Sequence, residues 1–131
     1  MFFDHNTFYR ESTGTLVIFR ALGPGQAIFT SNVFAYPGGP GGVFDFDKAQ
    51  NLAAYKGDYN AFFDSSGPVT FSQYGVDLNV WKGITQQDSH SVEGNPGFIA
   101  PQSGDFTLAE GSAVRGDGAE GTDPGAFPAT P

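Results

Sequence analysis

Asp45 and Asp47, in the run Val43-Phe44-Asp45-Phe46-Asp47, are the two acids best placed for acid–base chemistry. Alternate residues of a strand share a face, so the two carboxylates would sit about 7 Å apart. Glycoside hydrolysis uses two carboxylates roughly 5 to 9 Å apart, one of them with a raised pKa. The plainer readings of the same pair are a solvated strand face or weak Ca²⁺ binding through oxygen ligands. His5 has the chemistry of a general base, but no histidine occupies the matching place further along the chain. It reads more simply as a surface or interface histidine. Asp88-Ser89-His90-Ser91 holds the residue types of a nucleophilic triad. Neighbours in sequence seldom reach triad geometry, so main-chain hydrogen bonding is the expected role.

Four tyrosines, Tyr9, Tyr36, Tyr55 and Tyr74, could stack on sugar rings, and Lys56 lies beside Tyr55. Packing at loop edges is their ordinary alternative. Lys48, Lys56, Arg10 and Arg20 are the available cations, and no motif gathers them.

The elements that must position these residues repeat. Asn6-Thr7-Phe8, Asn32-Val33-Phe34 and Asn60-Ala61-Phe62 recur 26 and 28 residues apart. A strand-like run follows each Asn, at residues 16–19, 43–46 and 69–71. Further apolar runs precede the second and third Asn, at 27–29 and 52–55. A period of this length marks a repeat architecture whose units must stack to bury their apolar faces. Parallel pairing about 4.8 Å apart would set like residues above like. Phe residues would then form an internal stack and Asn6, Asn32 and Asn60 a hydrogen-bonded ladder at tight corners. Phe44 and Phe46 would face inward and Asp45 and Asp47 outward.

Composition agrees with many short strands and many turns. The chain has 131 residues, with 14 Phe, 19 Gly and 9 Pro, and only 15% are charged. Gly and Pro break helices and punctuate turns. The formal charge of −8 repels phosphate backbones and argues against nucleic acid. The absence of cysteine excludes disulfides and thiolate sites and leaves the compartment open. No apolar stretch approaches the length of a membrane span, and no signal peptide is visible.

From Gly75 onward the repeat weakens. Trp81 is followed by Asp88-Ser89-His90-Ser91, Pro96-Gly97-Phe98, Asp105-Phe106-Thr107-Leu108, Gly111-Ser112 and Asp123-Pro124-Gly125-Ala126-Phe127. In this order the motifs resemble the closing segment of right-handed parallel β-helix proteins, the pectate-lyase-like and chondroitinase-like groups. Ala113 stands where those groups usually have Pro. With the Asn-x-Phe units the resemblance covers nearly the whole chain. It implies an all-β, right-handed parallel β-helix, a single-stranded solenoid of about three to four coils plus an irregular C-terminal cap. The expected division is one domain, 1–131, with coils over 1–74 and a closing segment over 75–131.

The resemblance also implies an association with polysaccharide. No position matches a catalytic motif of those groups, so binding without a complete active site is expected. The alternatives are a polysaccharide lyase or glycoside hydrolase completed by oligomerisation, and an interaction module that stacks on itself or another β-helix. No cofactor is called for, apart from Ca²⁺ at Asp45 and Asp47. The chain opens inside a repeat, like the last coils of a longer protein or a short gene that captured them. Secretion or a periplasmic location follows if a longer protein is involved. The unpaired first coil predicts a homo-oligomer through that edge.

Overall fold

A computed structural model describes residues 1–19, 26–39, 42–46, 49–71 and 75–129. Nine short strands form three ranks that pair in parallel. The first rank is β1 (Phe2–Asp4), β4 (Ala27–Thr30) and β7 (Tyr55–Asp58). The second is β2 (Thr7–Tyr9), β5 (Val33–Tyr36), β8 (Ala61–Asp64) and β9 (Val92–Glu93). The third is β3 (Val17–Phe19) with β6 (Phe44–Phe46).

Register follows the Asn-x-Phe spacing. Phe3 pairs with Phe29, Phe8 with Phe34, and Phe34 with Phe62. Equivalent rings therefore meet face to face: Phe3 on Phe29 at 4.7 Å, Phe8 on Phe34 at 4.8 Å, Phe34 on Phe62 at 5.2 Å. Phe44 and Phe46 join this buried core, whereas Asp45 between them is only half-buried. Each turn from the first rank to the second passes through a left-handed residue, His5, Ser31 or Tyr59, with φ of 53°, 58° and 56°. A non-glycine residue there costs about 1–2 kcal/mol. After the second and third corners, the Asn32 and Asn60 side chains bond to neighbouring layers, which helps to offset it.

The expected single all-β helix is corrected. Among the described residues, eleven strands fall into four small sheets with no closed solenoid, and two α-helices interrupt them. The fourth sheet, β10 (Phe98–Ala100) with β11 (Asp105–Leu108), is antiparallel. The first helix, α1 (Ala49–Ala54), takes most of the run expected as strand at 52–55. Its sequence, Ala-Gln-Asn-Leu-Ala-Ala, lacks Gly, Pro and β-branched residues and favours helix locally. The second, α2 (Leu78–Thr85), starts where the Asp77 carboxylate accepts the Val80 N–H, and ends at left-handed Gln86. Leu78 and Trp81, three apart, lie on one helical face and enter the core. Neither helix is long and apolar enough to cross a membrane.

These differences give the stack unlike ends. At one end Trp81 stacks on Phe71 at 4.8 Å and closes the aromatic core. At the other, β1, β2 and β3 are edge strands. There Phe3 and Phe8 remain half-exposed, while Phe29 and Phe34 above them are 2% and 0% exposed. The hairpin β10–β11 does not extend the ranks. It folds back over the outer face of β2–β5–β8, where Leu108 and Val114 pack with Val33, Ala35 and Ala61 in a second, smaller core.

Candidate glycan-binding groove

Folding the hairpin back leaves a concavity of about 510 Å³ beside it. That size lies within the roughly 300–1,000 Å³ typical of small-ligand sites. Its strand wall presents Tyr9, Ala35 and Phe63, each one residue past an inward-facing Phe and therefore on the outer face. Asn95, Pro96, Gly97, Phe98, Pro101 and Gln102 form the opposite wall. Tyr9 bridges the two. Its ring meets Phe98 edge-on at 5.8 Å and lies tilted against Phe106 at 4.9 Å.

Polar groups rim the apolar floor. The Arg10 guanidinium is held by its own turn, with Nε donating to Ser12 Oγ at 3.0 Å and Nη1 to the Thr15 carbonyl at 2.9 Å. Among the described residues, Glu11 is the one carboxylate that lines the groove. The Asn95 side-chain oxygen accepts the Gly97 N–H at 2.8 Å, which shapes the turn into β10. Tyr36 lines the groove but is itself only 2% exposed. Burial holds its phenol above the ordinary value.

The sequence candidates are scattered. Tyr9 and Tyr36 reach the groove. Tyr55 is 1% exposed, and its hydroxyl donates to Asp88 Oδ2 at 2.7 Å, so it has no face open to a sugar. Lys56 lies half-buried on the separate first rank, beside Ile28. Asp45 sits on the third rank opposite Ile18. Tyr74, Asp47, Lys48 and Arg20 lie outside the described residues. Among the described residues, no three His, Asp or Glu groups converge on a metal position.

Asn6, Asn32 and Asn60 stand in one column. Asn32 Oδ1 accepts the Asn6 N–H at 2.8 Å, and Asn60 Oδ1 accepts the Asn32 N–H at 2.9 Å. The Asn32 and Asn60 amides donate to the Phe3 and Phe29 carbonyls of the preceding layer. Ser91 replaces Asn in the next layer, its hydroxyl accepting the Asn60 N–H at 2.9 Å. Beneath it Asp88, fully buried, accepts from Tyr55, Trp81, Asn60 and Ser91. The Asp88-Ser89-His90-Ser91 motif thus closes the stack on a carboxylate.

His90 is placed differently from its motif neighbours. Its Nδ1 faces Asp58 Oδ2 at 2.8 Å, and its ring stacks on Tyr59 at 4.6 Å. Ser89 Oγ approaches the same Nδ1 at 3.2 Å. A triad needs the serine on Nε2 and the carboxylate on Nδ1, so these three side chains do not form one. Sequence reasoning missed Asp58 as the partner of His90. It also missed Asn95 and Gln102 in the groove, for which no repeat or charge pattern gave a signal.

No protein-family model, curated protein or solved structure matches this chain.

Proposed function

We propose that this chain is a carbohydrate-binding module that holds a glycan in the groove between β2–β5–β8 and β10. The observation that carries the proposal is the half-buried Tyr9 ring set against Phe98 and Phe106, in a concavity rimmed by Arg10, Glu11, Asn95 and Gln102. Apolar ring faces pack against the C–H faces of sugars, while rim amides and charges bond hydroxyls. Hydrolysis uses two carboxylates, and among the described residues Glu11 is the one carboxylate that lines the groove. Binding without turnover is the better reading. The formal charge of −8 favours a neutral glycan over a polyuronate.

Calorimetric titration with neutral β-glucan or xylan fragments, beside oligogalacturonate, tests the assignment. Saturable binding of a neutral oligosaccharide is expected, weakened about tenfold by Tyr9→Ala and about threefold by the exposed Gln102→Ala. Binding of oligogalacturonate alone would reverse the charge argument. Release of reducing or unsaturated ends would establish an enzyme, and no binding at millimolar sugar would sink the groove reading.

A second reading concerns the uncovered end of the stack. The half-exposed Phe3 and Phe8 and the edge strands β1, β2 and β3 offer one self-complementary surface, suited to a second copy of the chain about a two-fold axis. A concentration-dependent dimer in sedimentation velocity, lost in Phe8→Glu with the fold intact by circular dichroism, is the expected result. A monomer at 100 μM, on the order of a weak homodimer's Kd, overturns it.

A further inference from the structure

We propose that His5, carrying protons on both ring nitrogens, latches residues 118–127 onto the corner column, so that closure of this strap depends on pH. The strap crosses the corners of the first two layers. Its Ala119 N–H donates to Ser31 Oγ at 2.9 Å, Gly125 N–H to the Ser31 carbonyl at 2.8 Å, and Ala126 N–H to Thr7 Oγ1 at 3.0 Å. Ser31 is fully buried as a result. Gly125 has φ of 89°, and a Cβ there would lie 2.9 Å from both Thr7 Oγ1 and Val33 Cγ2.

The latch is defined by what surrounds the imidazole. Nδ1 faces Asp4 Oδ1 at 2.9 Å, and an ionised carboxylate only accepts. Nε2 faces Thr122 Oγ1 at 3.0 Å. The Thr122 hydroxyl spends its proton on the Ala119 carbonyl at 2.7 Å, so toward His5 it too is an acceptor. Both ring nitrogens therefore meet acceptors, and only the imidazolium satisfies both together with the Thr122–Ala119 bond. A neutral ring keeps its Asp4 bond only by drawing the Thr122 proton away from Ala119, or it leaves one contact unmade. One hydrogen bond of the strap is lost in either case.

Other charges near the ring act elsewhere. On the strap, Asp123 accepts the Gly116 and Ala129 N–H groups, and Glu120 is exposed. The neighbouring corner contributes Thr30, Ser31 and Asn32, none of which titrates in this range. Asp58, two layers away, pairs with His90. Among the described residues, Asp4, next to it in the chain, is the one carboxylate paired with the ring. The Met1 amine donates to the Gln26 carbonyl at the start of β1.

Amide hydrogen exchange by NMR tests the latch at about pH 5.5 and 7.5, which bracket imidazole titration. The readout is the protection factor, corrected for intrinsic exchange, of the Ala119, Gly125 and Ala126 amides against those of Val33 and Ala61. Protection of the strap amides is expected to fall about fivefold between the two pH values, the worth of one net hydrogen bond. The core amides should not follow. His5→Gln should abolish the pH dependence and hold the strap at its less protected level, and Thr122→Val, which leaves the ring in place, should do the same. Equal protection at both pH values, or a fall that persists in either variant, overturns the proposal. If His5→Gln fails to fold, Thr122→Val alone decides.

Discussion

The Asn60 side-chain amide reaches Asp88 Oδ1 at 3.2 Å, joining the last Asn of the column to a buried carboxylate 28 residues away. Asp88 collects three further donors: Ser91 Oγ at 2.6 Å, Tyr55 OH at 2.7 Å and Trp81 Nε1 at 2.9 Å. Donors from β7, the corner before β8, α2 and the motif itself thus converge on one group. A buried charge is tolerated when its lone pairs are bonded in this way.

Asp88→Ala should therefore be among the most damaging single changes. It strands four buried donors, and a loss of about 3–5 kcal/mol is expected. Asp88→Asn keeps the shape but turns an NH₂ toward two donors, and should cost about 2–3 kcal/mol. Urea unfolding near neutral pH measures both. A loss under about 1 kcal/mol in Asp88→Ala would contradict the assigned role.

The Asn column predicts a gradient. Asn32 and Asn60 are fully buried and bonded to the layers on both sides. Asn6 is only half-buried, and its amide turns to the Asp4 carbonyl of its own layer at 3.2 Å. Asn32→Ala and Asn60→Ala should each cost about 2–3 kcal/mol, and Asn6→Ala about 1 kcal/mol or less. Equal losses in equilibrium unfolding would show that position in the column does not matter.

Tyr55 links stability to alkaline pH. Burial first, and then the Asp88 carboxylate, raises its phenol well above the ordinary 10.0. The native state holds the protonated form more tightly than the unfolded chain does. This contribution is complete below pH 10, where the phenol is neutral in both states, and is lost as pH rises beyond it. Denaturant midpoints should be level between about pH 7 and 9 and fall above 10. In Tyr55→Phe the fall should be shallower, from a starting stability about 1–2 kcal/mol lower because Asp88 loses a donor. A parallel decline in the variant would assign the alkaline sensitivity to another group.

Trp81 offers an optical check on the closed end. The only Trp of the chain is 1% exposed and stacked on Phe71 and Phe46, at 4.8 and 5.9 Å. Its emission should be blue-shifted in the native state and move to the red on unfolding. Trp81→Phe keeps the ring stack but removes the Asp88 donor, and should cost about 1–2 kcal/mol. A solvent-like native emission would contradict the packing.

Legibility followed sequence distance. The Asn-x-Phe units and the strand starts at Thr7, Val33 and Ala61 could be read directly, because equivalent residues recur at the offsets where they pair. The inward Phe44 and Phe46 followed from alternation. The two helices did not, because a run such as 52–55 is apolar in either conformation and the local Ala-Gln-Asn-Leu-Ala-Ala preference decided it. Tyr55 looked like a surface aromatic until Asp88 and Trp81 closed over it.

By itself, then, the sequence determined the 26- and 28-residue offsets and the aromatic, asparagine-lined character of what pairs at them, because repeated residues bury and bond best against their own kind. Tertiary structure alone decided that the stack ends under α2, that Asp88 gathers four donors, and that β10–β11 turns back to make a groove instead of another layer. Those outcomes depend on non-repeating segments meeting across 30 to 120 residues of chain. Their partners are chosen by which surfaces remain uncovered once the repeats have packed.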